Sequence, residues 1–398
     1  MPSTVTIEKL VYGGEGLTHI DGQVLLAPFV LPGERVAVEV VKAKKGILRG
    51  SSPEVLESSQ NRVVPRCEYF GTCGGCQYQH ADYSYQLAQK TEILRETLRR
   101  LGGIAYEEEI PTVSADPWFY RNRIQLHFKD RESGFHRQGS HDLCAIQRCY
   151  ISAPILVEAI GRIQGAVKRP EWPNFLQSLE LFTNGDELQL NVLESARPVA
   201  ARFFEWCRTF LPALAPGAID YEAAGSRFRI SGGSFFQVNR FLIDALVEEV
   251  VSDSGGAYAV DLYAGVGLFS MALARKFNRV DAVERGLSAF RDLEFNVKQS
   301  EGEIRANRVS AEEYIGRQTD AVPDLLVVDP PRTGLGTETT DSILQARPAR
   351  LTVVSCDPAT LARDSRRLLS DYRIRRLALV DLFPQTYHFE TIMHLERK

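Results

Sequence analysis

The sequence predicts an α/β protein in which a doubly wound parallel sheet follows two β-rich units, and three observations carry that prediction. From about residue 240 onward, apolar strand-like runs alternate with helical stretches, the order produced by a parallel sheet covered with helices. Residues 1 to about 57 contain short β-rich runs cut by turns such as "GGEG", "DGQ" and "LPGE", the pattern of a small barrel. Between them lies hairpin alternation, as in "LELFTNGDELQLNVLE", where "NGD" is a turn signal.

Each unit is justified in chain order. Residues 1–57 read as an OB-like β-barrel, a fold that often binds nucleic acid. The central unit, 58–235, opens with a cysteine-bearing loop at 65–80. "DYSYQLAQKTEILRETLRRLGG" (82–103) follows, with apolar residues at helical spacing, basic residues late and a Gly-Gly stop. This helix, near 82–101, is free to pack on the last unit. Residues 236–398 form the α/β unit. With 398 residues, each unit has chain enough to bury a core of its own.

Composition narrows the class. Hydrophobic residues at 44% and charged ones at 25% are ordinary for a globular protein. No apolar run approaches the roughly 18 residues of a membrane span, and the N-terminus lacks a basic start followed by an apolar core. A cytoplasmic setting without membrane contact is expected. A net charge of −4 does not advertise a nucleic-acid binder. Local basic runs at 41–50, 94–100, 121–123 and 363–376 permit RNA contact, although such runs are also ordinary solvated faces.

In "AYAVDLYAGVGLFSMALA" (257–274) a buried strand runs into a glycine turn and then a helix. Gly265 and Gly267 allow a sharp turn and close approach to a ligand, and Asp261 is expected to face the crevice. The next strand, "RVDAVERG", ends in Glu284, placed to accept hydrogen bonds from adenosine ribose hydroxyls. Phe269 and Ser270 stand where a dinucleotide fingerprint would continue toward its third glycine. S-adenosylmethionine, an adenosine without pyrophosphate, therefore fits better than NAD. A further strand in "PDLLVVDPPRTGLG" ends in Asp329-Pro-Pro-Arg, where the prolines stiffen the turn. Arg332 replaces the aromatic residue with which amino-group methyltransferases end a similar motif.

"RLTVVSCDPATLARD" places Cys356 at another strand end, on the same sheet edge as Gly265, Glu284 and Asp329. A lone cysteine is as readily a core residue; convergence with a methyl-donor site favours a nucleophile. Methylation at pyrimidine C5 needs these parts. A thiolate adds to C6, making C5 nucleophilic, and a base later removes the C5 proton. In "LVDLFPQTYHFETIMHLER", Glu390 and His388 are both candidates for that base. Spacing does not choose between them. "CEYFGTCGGCQYQ" sets Cys67, Cys73 and Cys76 within ten residues around glycines, which favours a metal site. Zinc and an iron–sulfur cluster suit such ligands equally, with Cys144 or Cys149 as the fourth.

"SFFQVN" (234–239), "DLYAGVGLFS", "DPPRTG", "VSCDPATLARD" and "LFPQTYHFET" occur in the order found in one family. Over nearly its full length the chain resembles RNA uracil-C5 methyltransferases of the TrmA/RumA type, especially the ribosomal-RNA branch. The resemblance implies a class I Rossmann-like methyltransferase domain, a TRAM domain as the N-terminal barrel, and a 4Fe–4S cluster in the central domain. It implies Cys356 as nucleophile and Glu390 as base. Gln237, Tyr263, Glu284 and Asp329 would line the S-adenosylmethionine site along with Gly265, and Ser310 would lie on the adenine side. Cys67, Cys73, Cys76 and Cys149 would hold the cluster, leaving Cys144 and Cys207 as ordinary thiols. The implied partner is RNA, with 23S rRNA ahead of tRNA, and no DNA is expected. The chain departs from the family at Asp357, where relatives usually carry Asn beside the nucleophile; a carboxylate there would oppose ionisation of the thiol.

Overall fold

The computed structural model describes residues 2–42, 46–252, 254–317 and 322–398; Lys44 and Lys45 of the first basic run lie outside the described residues. The N-terminal unit is one six-stranded sheet: β1 (Ser3–Thr6), β2 (Lys9–Leu10), β3 (Glu15–Ile20), β4 (Gln23–Pro28), β5 (Arg35–Lys42) and β6 (Leu48–Glu57), in the order β1-β5-β6-β4-β3-β2. Alternation turns Leu25, Ala27, Val36 and Val38 inward onto Ile7 and Val30. Glu34, fully buried, takes the Arg62 guanidinium and the Leu31 and Ser59 amides, which fastens this sheet to the chain that follows it.

Helix α1 (Tyr83–Thr97) starts at Asp82, whose side chain accepts from the Ser84 amide, and its final wide turn stops at Gly103 with φ 67°. Its apolar residues Ile93, Leu94 and Leu98 share a core with Val260, Leu262 and Val353 of the α/β unit. Strand β7 (Thr112–Val113) then joins the last sheet as an edge strand. Five antiparallel strands follow: β8 (Arg123–Lys129), β9 (Glu132–His136), β10 (Leu143–Ala145), β11 (Leu176–Thr183) and β12 (Leu188–Ser195). Helices α2 (Pro154–Ala166) and α3 (Ala201–Phe210) supply Ile160, Ile163 and Phe203 to their core. The hairpin β13 (Ile219–Ala223) and β14 (Ser226–Ile230) leads into the α/β unit.

After α4 (Ile243–Val250) come β15 (Gly256–Leu262), α5 (Leu268–Leu273), β16 (Phe277–Val283), α6 (Leu287–Asn296), β17 (Glu303–Asn307) and α7 (Ala311–Arg317). The chain then runs through β18 (Leu325–Val328), α8 (Gly336–Ala346), β19 (Arg350–Ser355), α9 (Pro358–Leu368), β20 (Tyr372–Val380) and β21 (Glu390–Arg397). The sheet order is β17-β16-β15-β18-β19-β21-β20-β7, and β21 runs antiparallel to both neighbours. The winding reverses between β15 and β18, so a crevice opens beyond the carboxyl ends of those strands, the usual ligand position in such sheets. Among the described residues no helix is long and apolar enough to cross a membrane.

Candidate active site

The crevice has two walls, named for the roles expected from the sequence: a donor wall on β15 and β16 and a nucleophile wall on β18, β19 and β21. On the donor wall, β15 ends at Leu262 and the chain turns through Tyr263, Gly265 and Gly267, all with positive φ (64°, 57° and 96°). A bulky aromatic residue at positive φ is strained, and such strain persists only where surrounding structure holds it. A Cβ on Gly265 would meet nothing within 4 Å, so open space lies before its backbone. Glu284, directly after β16, accepts from the Gly265 amide at 3.0 Å and from the Gly286 amide. Its remaining lone pairs can take ribose hydroxyls. These features fit the adenosine of S-adenosylmethionine. Ser310 stands just before α7, where its hydroxyl accepts from the Glu313 amide.

Asp261 departs from expectation. Being one residue short of the strand end, its side chain turns under the glycine turn and is fully buried, accepting from the Ser270 hydroxyl of α5 at 2.5 Å. Burial raises its carboxyl to about 7. It braces the turn and does not face the crevice.

Cys356 directly follows β19, and Glu390 begins β21. Ser355 pairs with Thr391, which brings the two functional groups to one end of adjacent strands. Asp329 follows β18 on the other side of β19. Burial pushes the Cys356 thiol up to about 12; the Glu390, Asp329 and Asp357 charges add to this and Arg332 opposes it. Glu390 is buried and held far above the usual carboxylate range, first by desolvation and then by Asp329. Asp329, partly buried, is raised to about 7 by desolvation and by Asp261. His388 goes the other way: burial and the charges of Arg332, Lys90 and Arg121 depress its imidazole to about 3.

Helix α9 begins immediately after the thiol, and a helix N-terminus ordinarily favours a thiolate. Here Pro358 lacks an N–H, and Asp357 Oδ1 accepts from both the Ala359 and Thr360 amides at 2.9 Å. The departure at Asp357 is therefore a helix cap that occupies the donors a thiolate would use. The loop after Asp329 is pinned to α9 because Gly334, at φ 77°, lets the Leu335 amide reach Asp364 at 2.7 Å.

Three other segments hold the nucleophile wall. Gln237 lies in a loop fixed by Asn122, whose side-chain amide donates to its carbonyl at 2.9 Å, and by Arg123 on the Ser234 carbonyl. The segment before Glu390 is anchored from α1: buried Lys90 meets Asp381 at 2.6 Å and the Phe383 carbonyl at 3.1 Å. Gln77 and Tyr78 donate their amides to the Gln385 carbonyl at 3.0 and 2.9 Å. From the barrel, Tyr12 donates its hydroxyl to the Cys356 carbonyl at 2.9 Å and packs edge-on against Tyr387 and Phe389. Tyr12 escaped the sequence reading because nothing local marks a barrel tyrosine for a partner 344 positions away.

Cys67, Cys73, Cys76 and Cys149 line one cavity of about 500 Å³. Burial raises Cys67, takes Cys73 to about 12 and raises Cys76, and the nearby Cys149 sulfur adds to each. Cys144 and Cys207 instead face the apolar core of the central unit. Among the described residues no three His, Cys, Asp or Glu side chains form a group that could hold a metal ion.

The sequence profile of the tRNA (uracil-5-)-methyltransferase family matches residues 222–398, and that of the TRAM domain matches 3–52. An uncharacterised RNA methyltransferase of Aquifex aeolicus is 33% identical over 100% of this chain and 99% of its own length. Another, from Streptomyces avermitilis, is 31% identical over 98% and 97%. Among solved structures, the tRNA (uracil-54, C5)-methyltransferase of Pyrococcus abyssi, in complex with S-adenosyl-L-homocysteine, superposes with a TM-score of 0.79. It is 26% identical and covers 99% of this chain and 100% of its own. Fold, crevice and full-length likeness agree that this chain belongs to the TRAM-bearing RNA uracil-C5 methyltransferase family of the TrmA/RumA type, and that it is an S-adenosylmethionine-dependent enzyme.

Proposed function

We propose that this enzyme methylates C5 of a uridine in 23S ribosomal RNA through a covalent bond between Cys356 and C6 of the base. The observation that carries the covalent chemistry is the meeting of Cys356 and Glu390 on adjacent strands, with Asp329 alongside, across from the Gly265–Glu284 turn; the choice of 23S rRNA rests on the resemblance to the ribosomal-RNA branch. Gln237, Tyr263, Gly265, Glu284 and Asp329 would hold S-adenosylmethionine, which when bound supplies the methyl group that C5 takes. Having given up its proton, the Cys356 sulfur bonds to C6 as the thiolate, and the C5–C6 π pair moves onto C5 and the C4 oxygen. Once C5 is methylated, Glu390 accepts its proton, the ring double bond re-forms and the sulfur leaves C6. Burial makes the Glu390 carboxylate a strong base. His388, depressed to about 3, is a weak one.

Cys67, Cys73, Cys76 and Cys149 would hold a 4Fe–4S cluster. An all-sulfur donor set around one cavity supports this, and a four-iron cluster spans its cysteines more widely than a single ion does. Bound, the cluster would supply cross-links; methyl transfer needs no electron from it. Cys76 adjoins Gln77 and Tyr78, which hold the Gln385 carbonyl, so the cluster loop supports the segment carrying Glu390. Anaerobically purified protein is expected to contain iron and sulfide. Cys149→Ser should lose them and Cys144→Ser keep them; stoichiometric zinc would overturn the cluster.

A tRNA uridine is the second reading, favoured by the end-to-end likeness to the Pyrococcus abyssi tRNA enzyme. The test is 5-methyluridine mapping in 23S rRNA and tRNA incubated with purified enzyme in the cytoplasmic salt range. Methylation of tRNA alone would replace the first reading by the second, and methylation of neither would remove both.

A further inference from the structure

Arg66, one residue before Cys67, is exposed, and its guanidinium lies over three aromatic rings from two other segments. The ring centroids of Trp118, Phe119 and Tyr150 are 5.2, 5.3 and 4.9 Å away. Among the described residues it has neither a carboxylate partner nor a hydrogen bond. Stacking fixes the flat guanidinium by its faces and leaves the edge N–H donors free, the presentation suited to a bidentate oxyanion. Little rotamer freedom then remains to be lost when an anion binds.

The cup is braced to the active site. The Phe119 amide donates to the Tyr150 carbonyl at 2.9 Å, and Arg240 Nε donates to the Phe119 carbonyl at 2.9 Å. Arg240 follows the Gln237 loop and lies over exposed Phe241, with 4.4 Å to the ring centroid. Tyr120, between Phe119 and Arg121, donates its hydroxyl to the Pro384 carbonyl at 3.1 Å, in the segment leading to Glu390. Among the described residues neither Arg121 nor Arg240 has a carboxylate partner, and the charge of Arg121 reaches His388. Cations interleaved with aromatic faces, running from the cysteine loop toward the crevice, match the backbone and unstacked bases of single-stranded RNA.

We propose that Arg66, held in its aromatic cup, binds a backbone phosphate of the substrate RNA beside the target uridine, with Arg121 and Arg240 continuing the contact toward Cys356. This rests on the reading that the substrate is RNA and adds where the strand lies. Arg66→Met keeps a long apolar side chain among the rings and removes the charge. Its dissociation constant for substrate RNA is expected to rise about tenfold, as for loss of a charged hydrogen bond. The slope of log affinity against log salt should fall by about 0.7, the value of one phosphate on a single strand. Affinity for S-adenosylmethionine should hold. Arg66→Lys should recover the salt slope and part of the affinity. An Arg66→Met protein that melts like wild type and binds RNA with unaltered affinity and slope would overturn the proposal. So would weaker binding with an unchanged salt slope in both variants, since the cup would then be a structural brace. Wild-type enzyme that methylates no RNA would refute the functional reading instead.

Discussion

On the donor wall the acidic group, Glu284, already accepts hydrogen bonds from two backbone amides of its own turns. On the nucleophile wall desolvation raises the proton affinity of Asp329, Glu390 and Cys356 alike; the Asp329 charge adds to the shift of Glu390, and both charges add to that of Cys356. The first wall is satisfied before any ligand arrives. The second holds a thiol and a carboxyl whose proton affinities burial raises, and on the proposed function these would become nucleophile and base once substrate and a cationic ligand change their surroundings. On the proposed function, recognition and chemistry are thus divided between two electrostatic environments at one sheet edge.

The sharpest break of that division is Cys356→Ala. Turnover should fall by at least about 10⁴-fold, as when an enzyme loses its nucleophile, while S-adenosylmethionine binding, measured calorimetrically, stays at the wild-type value. Loss of donor affinity in this variant would mean that the two walls are not separate.

Glu390→Gln comes next. Gln is nearly isosteric, so Cys356 should still bond to C6 and C5 should still be methylated. Its amide cannot accept the proton, so product release should slow by about 10²–10⁴-fold, the usual contribution of a general base. A methylated Cys356–RNA adduct should accumulate and be visible by mass spectrometry. Release at the wild-type rate would assign the base to another group.

Much of this division was legible in the sequence because each strand-end motif is local. A buried run followed by Gly-x-Gly, by Asp-Pro-Pro or by Ser-Cys-Asp-Pro states both the strand and its end, and parallel topology gathers such ends on one edge. What was illegible depends on distant partners. The pleat that turns Asp261 beneath its own loop is a one-residue matter of register. The addition of β7 to the α/β sheet, the buried Lys90–Asp381 pair and the reach of Tyr12 to Cys356 all join segments that no local pattern relates. Even Asp357, noticed as a departure, showed its capping role only once α9 was in place.

A gentler test uses proton linkage. The folded-state carboxyls of Asp261 and Asp329 sit at about 7, above their unfolded values. The folded protein therefore holds protons that the unfolded chain gives up. The stability this contributes is complete below the unfolded carboxyl range near pH 4 and disappears as pH rises through about 7. Asp329→Asn cannot ionise, so across that window the melting temperature of the unliganded variant should fall less with rising pH than that of wild type. Parallel curves would remove Asp329 from the strained wall.

The smallest effect separates the two things Asp357 does. Asn retains the Oδ1 acceptor that meets the Ala359 and Thr360 amides, and Asn and Asp cap about equally well. Asp357→Asn should therefore change stability by no more than the roughly 0.3–1 kcal/mol of a charge at a helix N-terminus. It also removes one of the charges that raise the Cys356 thiol, so adduct formation with 5-fluorouridine RNA near pH 7 should quicken modestly. The direction follows from the sign: a lower thiol pKa means more thiolate at fixed pH. Asp357→Ala removes the same charge and the cap together, which should cost about 1 kcal/mol of stability and loosen the turn that presents the sulfur. Faster adduct formation in Asn but not in Ala would show that the cap positions the nucleophile while the charge restrains it. An Asn variant slower than wild type would mean that the carboxylate assists the thiol.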